Sequence, residues 1–239
     1  MMPTIQPGDR IMVNKLSFGA RLYKNLRELE RPKVETYRIK GLRGICYNDV
    51  VVFNFANPLA FDIGKVYVKR CIGLPGDTIW IRNGQYYNST ASDKVMLKHF
   101  APYCPISVPD SSLFRCFPYK KKLGWTILDF GPLYIPRKDA RIELTQTNIW
   151  LYRNIITYEN STDVRFVQDS VFLRNQHIQT YTFKEDYYFM AGDNFANSGD
   201  SRYFGPIPEA FIIGIAPYTL YAKNRQTGKI NKNRILKRL

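Results

Sequence analysis

Apolar positions along the chain fall in short runs of β-branched and aromatic residues, each closed by Gly, Pro, Asn or Asp. Such runs suit a pleated, half-buried surface. Strands are therefore predicted at Arg10–Val13, Asp49–Asn54, Lys65–Ile72 and Thr78–Arg82, and later at Gln179–Phe183, Tyr187–Ala191 and Phe211–Thr219. Asn83-Gly84, between Thr78–Arg82 and Gln85–Tyr87, predicts a tight hairpin, because a type I′ turn needs positive φ at both central positions. Helical periodicity is scarce. Gly19–Glu30 reads as a short basic helix stopped by Pro32, and Glu143–Thr157 shows the 3.6-residue period weakly. The expected fold class is mainly β. No apolar run approaches the roughly 18 residues of a membrane-spanning helix; the longest, Val50–Phe55 and Phe211–Ala216, are strand-sized. No secretory n-region and h-region is present, so the sequence as it stands reads as a soluble chain.

Between about Ser89 and Glu185 the texture changes to Pro clusters and a Lys120-Lys121-Lys122 run with no assignable motif. This predicts an inserted second domain, 89–185, splitting a discontinuous core of 1–88 plus 186–222, with 223–239 as a basic C-terminal tail. The chain has 239 residues, 45% of them hydrophobic and 15% aromatic, enough to bury a core and to exclude wholesale disorder.

The net charge of +15 is unevenly placed. Gly19–Arg43 holds eight basic and three acidic residues, and Lys223–Leu239 holds seven basic residues and no acid. Local basic patches of this kind suit anionic lipid or nucleic acid, or serve only to solubilise. A nucleic-acid function rests on charge alone, without any recognisable motif, and is not expected. Cys46, Cys71, Cys104 and Cys116 have no CxxC spacing, and His99 and His177 lie far apart, so no metal and no cofactor are expected. Pairing of Cys104 with Cys116 stays open at this level, because a disulfide depends on geometry.

Four segments carry candidate chemistry: Met1–Val13 with Met1-Met2-Pro3-Thr4, Asn48–Phe53, Tyr67–Asp77, and Gly192–Arg202. Strand alternation puts Tyr67, Lys69 and Cys71 on one face and Val66, Val68, Arg70 and Ile72 on the other. An ammonium in such apolar company has its pKa lowered by desolvation, and the neutral amine is a competent general base. The alternative is that Lys69 snorkels to solvent. The Gly192–Arg202 loop reads either as a turn braced by Asp193, Asn194 and Asp200, or as a rigid loop placing Ser198 or Ser201 beside a catalytic group.

Together and in this order, the segments resemble bacterial type I signal peptidases, whose motifs read Ser-Met-x-Pro-Thr, Tyr-x-Lys-Arg-x-x-Gly-x-Pro-Gly-Asp, and Gly-Asp-Asn followed by Ser-x-Asp-Ser-Arg. The resemblance covers roughly 60 residues at the two ends of the chain. It implies an antiparallel β catalytic core interrupted by an inserted domain, and a Ser/Lys-dyad serine endopeptidase that removes signal peptides from exported preproteins. By that resemblance Lys69 is the general base, Ser198 orients its amine, and Asp200 and Arg202 form a supporting ion pair. Ile5, Tyr67 and Val68 line shallow pockets for the small side chains of an Ala-x-Ala sequence. The implied partners are secretory preproteins and an anionic membrane surface. The implied setting is a monomer anchored in the inner membrane with its catalytic domain on the periplasmic face.

Two departures stand out. Phe195 follows Gly-Asp-Asn where the family usually has Arg. The motif's serine nucleophile would precede Met1 by one position and is outside this chain, as are the usual anchor and oxyanion-hole residue; Ser17 matches no nucleophile position. The 239 residues alone are therefore expected to be inactive. A catalytically inactive homologue that binds signal peptides is the alternative.

Overall fold

The protein is described by a computed structural model over residues 1–24, 36–56, 61–91, 115–160, 164–224 and 226–239. It is mainly β, and its paired strands run antiparallel. The strands that position the site are β1 (Asp9–Asn14), β2 (Val50–Ala56), β3 (Phe61–Gly73), β4 (Thr78–Arg82), β5 (Gln85–Asn88), β6 (Phe130–Tyr134), β7 (Tyr187–Ala191), β8 (Ile207–Pro208) and β9 (Ile212–Lys223). The larger sheet has the order β1-β9-β2-β3-β7-β8, with two short strands, Ile230–Asn231 and Lys237–Arg238, added to β9. A second sheet has the order β5-β4-β6.

Most predicted strands are present, with ends displaced by tertiary pairing. β3 begins at Phe61 because its first residues pair with Phe55 and Ala56 of β2. The β4–β5 hairpin turns at Asn83 (φ 50°) and Gly84 (φ 77°), both in the region a type I′ turn requires. The predicted Glu143–Thr157 helix is α1 (Gln146–Asn160). It starts late because Glu143 pairs with Thr180 in a two-stranded ladder, after which the Thr145 hydroxyl caps the amide of Asn148. The helix predicted at Gly19–Glu30 is not found where the chain is described. Arg21–Tyr23 is a strand paired with Thr36–Arg38, and residues 25–30 lie outside the described residues. Its cause is tertiary: Arg21 donates to the Ala210 carbonyl (2.7 Å) and Asn54 (2.6 Å), and Arg38 donates to the carbonyls of Gly19 and Ile212 (both 2.7 Å). Those bonds hold the backbone extended against the propensity of a basic stretch.

One apolar core joins the layers. It takes Val51, Phe53 and Ile72 from the larger sheet, Ile79, Ile81, Phe130 and Leu133 from the second, and Tyr152 and Ile156 from α1. The second sheet thus combines a hairpin that precedes residue 89 with a strand that follows it.

The basic segments are partly consumed internally. Arg38 pairs with Glu209, Arg43 with Asp49, and Arg234 with Asp9. Residues 230–239 fold back along β9, where the Leu239 amide donates to the Pro217 carbonyl (3.0 Å). Cys46, Cys71 and Cys116 are free thiols, whereas Cys104 and His99 lie outside the described residues.

Candidate functional site

The site is built where β3 loses its second neighbour. β2 pairs along β3 with Val51 opposite Lys69 and Phe53 opposite Tyr67. On the other edge β7 pairs only as far as Arg70, opposite Ala191, before the chain leaves the sheet at Gly192. Among the described residues no strand covers the Val66–Lys69 edge on that side.

Lys69 does not snorkel: it is only 8% exposed. Its Nζ lies 5.7 Å from the Tyr67 ring centre and donates to Ser198 Oγ at 2.8 Å. Burial is the main cause of an ammonium pKa below the usual lysine range; Asp200 opposes the shift, Arg202 adds to it and Asp193 opposes it. Sequence alternation placed Tyr67 and Lys69 on one face, and the structure has them there.

The loop after β7 is shaped to present Ser198. A single 3-10 turn at Phe195–Asn197 leads to Ser198 in extended conformation, and Asp200 then caps the short helix α2 (Ser201–Phe204). The Asp200 carboxylate is fully buried and accepts from the Gly192 amide (3.0 Å) and from Arg202 Nε (2.9 Å) and Nη2 (2.8 Å). Asp200 and Arg202 thus form a buried two-pronged ion pair that closes the loop on itself. Phe195, where the motif usually has an arginine, takes part in this bracing. Its carbonyl accepts from Arg202 Nη2 at 2.8 Å, and its ring lies 4.3 Å beneath the guanidinium carbon.

Gly192 is required by space. A Cβ there would stand 2.0 Å from Ser198 Oγ and 3.3 Å from Lys69 Nζ. Gly192→Ala is therefore expected to displace the Ser198 hydroxyl and break the Lys69–Ser198 bond. Close packing makes overfilling cost about 1–3 kcal/mol. A crystal structure of the variant retaining the 2.8 Å contact would refute this.

Sequence reasoning missed a second buried pair. Arg70 holds Asp193 through Nε–Oδ1 (2.9 Å) and Nη2–Oδ2 (2.7 Å), and donates to the Asn48 carbonyl at 2.8 Å. Asp193 also accepts from the Thr4 hydroxyl. Four separate segments of the chain thus meet at one carboxylate–guanidinium pair. The signal was available: Arg70 follows Lys69, Asp193 follows Gly192, and alternation points Arg70 away from the lysine face.

Of the three predicted pocket residues, Ile5 and Val68 pack, with Met1, against the small cluster of Val50, Val52 and Ala216. Tyr67 lies on the opposite face, against Phe53 and Phe204, with ring centres 6.2 and 6.4 Å away. No group of His, Cys, Asp and Glu with metal-holding geometry occurs among the described residues.

The family description "Signal peptidase, peptidase S26" matches residues 1–116 and 129–221, which includes every residue of this site. The chain belongs to that family. Signal peptidase I of Buchnera aphidicola subsp. Baizongia pistaciae is 30% identical over 233 residues, covering 90% of this chain and 64% of that protein. Signal peptidase I of Pseudomonas aeruginosa is 24% identical over 227 residues, covering 90% of this chain and 60% of that protein. The chain thus spans less than two thirds of the length of these relatives. A crystal structure of a signal peptidase I from Enterococcus faecalis V583 is 20% identical, with a TM-score of 0.34, covering 73% of this chain and 98% of that one. The matched ranges contain the Lys69–Ser198 and Asp200–Arg202 contacts, and also Arg70, Asp193 and Thr4.

Proposed function

We propose that this chain is the catalytic part of a serine endopeptidase that removes signal peptides from exported preproteins, with Lys69 as general base. The observation that carries the reading is the buried Lys69 amine, with its lowered pKa, hydrogen-bonded to Ser198 beside an open strand edge. A preprotein segment lies extended along Val66–Lys69 as an added strand, and backbone pairing holds it there. Ile5, Tyr67 and Val68 limit the adjoining side chains to small ones.

The nucleophile in this reading is a serine directly before Met1. Met1 packs with Val68, the residue before Lys69, so the chain start lies close to the strand that carries the lysine. In the reaction neutral Lys69 takes the serine proton as Oγ attacks the scissile carbonyl carbon. Lys69 passes the proton to the leaving amine as the C–N bond breaks; it then takes a proton from water as that water attacks the acyl ester, and returns it to the serine Oγ as the ester C–O bond breaks. Ser198 keeps the amine aimed while these transfers occur.

Among the described residues no helix is long and apolar enough to cross a membrane. An anchor upstream of Met1 is part of the proposal, as are a periplasmic location at the inner membrane and action as a monomer. Exposed Tyr218, Leu220, Ile235 and Leu236, interspersed with Lys232, Lys237 and Arg238, form the surface proposed to meet anionic headgroups.

The test compares two polypeptides: the open reading frame extended upstream through its anchor, and the 239 residues alone. The extended protein is expected to have serine at the position before Met1 and to cleave a preprotein after Ala-x-Ala, while the shorter chain leaves it intact. Hydrolysis by the shorter chain that Lys69→Ala abolishes overturns the upstream nucleophile. A residue other than serine before Met1, with tight binding of uncut signal peptide, favours the inactive peptide-binding homologue.

A further inference from the structure

A groove of 370 Å³ opens beside the site and shares Phe204 with it, the ring that also contacts Tyr67. Phe117, Trp150, Phe166 and Phe204 line it, together with Lys120 and Arg153. It is fastened to the site's loop: the Phe117 amide donates to the Arg202 carbonyl (2.8 Å), and the Tyr119 hydroxyl donates to the Tyr203 carbonyl (3.1 Å). The chain of rings from Lys69 through Tyr67 to Phe204 is short, with separations of 5.7 and 6.4 Å. The groove therefore borders the proposed substrate strand through Phe204, which lines the groove and touches Tyr67.

Among the described residues its charge is of one sign. The Lys120 and Lys122 ammonium groups each lie 5.8 Å from the Trp150 ring centre, and the Arg153 guanidinium lies 4.5 Å from that of Phe166. Among the described residues none of the three cations forms an ion pair with a carboxylate. An adjoining hollow adds Arg115 and Lys121. Cations resting on aromatic faces at an open groove, with no carboxylate partner among the described residues, are arranged to receive carboxylates from outside.

We propose that this groove is a subsite for an extended acidic segment of the preprotein, on the mature side of the cleavage point. The assignment of side follows from substrate chemistry. A signal peptide consists of a basic n-region, an apolar h-region and a short segment of small residues, so carboxylates belong to the chain that follows the cut. This inference rests on the peptidase reading. It adds that substrates acidic just after the cut are preferred, and that Lys120 and Arg153 determine the preference.

The test uses the full-length, membrane-anchored protein in detergent micelles and two preproteins that differ only in the second to sixth residues after the cut, Asp and Glu in one and Ser and Ala in the other. At low ionic strength the acidic substrate is expected to show a kcat/KM about fivefold higher, the scale of one or two exposed ion pairs. The ratio is expected to fall towards one in 0.5 M salt, roughly a 4 Å screening length, and in Lys120→Gln/Arg153→Gln. Cleavage of neither substrate by the unaltered protein counts against the peptidase reading itself. Cleavage of both with equal kcat/KM overturns the groove proposal alone. So does an unchanged ratio in the double variant accompanied by weaker sedimentation with phosphatidylglycerol vesicles, which makes the patch a membrane contact.

Discussion

Lys69→Met in the full-length protein is expected to lower kcat by about 10⁴-fold, the upper range for loss of a general base. Methionine fills nearly the same volume without the amine, so the strand and its neighbours keep their packing. The stability effect has the opposite sign. Burial lowers the Lys69 pKa, so below the folded-state value both folded and unfolded chains hold the proton, and the fold bears the full cost of the buried cation. Between the lowered folded value and the ordinary lysine value the unfolded chain binds more protons, and stability rises with pH. Removing the amine is therefore expected to leave Tm at neutral pH unchanged or higher. The unaltered protein's kcat/KM should rise towards the alkaline side as Lys69 loses its proton. Ser198→Ala, which removes only the orienting hydroxyl, is expected to cost less, about 10²-fold. A lower Tm in Lys69→Met, or equal losses in the two variants, contradicts these roles.

Why much of this was legible in the sequence is physical. Lys69 lies between Val68 and Arg70 in a strand, and alternation alone decides which side chains share its face. The Asn83-Gly84 hairpin was legible because few residue pairs tolerate positive φ twice in succession. The Arg21–Tyr23 strand was not, because its determinants include the carbonyls of Ala210 and Ile212, 189 and 174 residues from the arginines that reach them. The Arg70–Asp193 pair failed for a similar reason: each residue has an adequate local explanation, and only the fold brings them to one point with Thr4. Phe195 is the instructive departure. From sequence it removes a charge from the loop; in the structure its backbone carbonyl and ring still hold Arg202. A hydrogen bond from the main chain is blind to side-chain identity, and an aromatic face accepts a guanidinium without adding a formal charge.

Arg202→Met is expected to produce the largest loss of stability. The ion pair it breaks is completely buried. Removing one partner of such a pair leaves the other charge uncompensated, at a cost of about 3–5 kcal/mol. For a chain of this size that corresponds to a Tm lower by roughly 10 °C. Arg202→Met/Asp200→Asn is expected to recover part of the loss, because the second substitution removes the stranded charge, and a double-mutant cycle on Tm measures that coupling. Kinetics supply an independent check with signs fixed in advance. Arg202 depresses the Lys69 pKa and Asp200 raises it. In the full-length protein Arg202→Met should therefore move the rising limb of the pH–rate profile to higher pH, and Asp200→Asn should move it to lower pH. Loosening of the loop changes kcat in either variant but does not dictate opposite displacements of the limb. Displacements in the same direction would mean that the pair acts on Lys69 only through the position of Ser198, not through its charges.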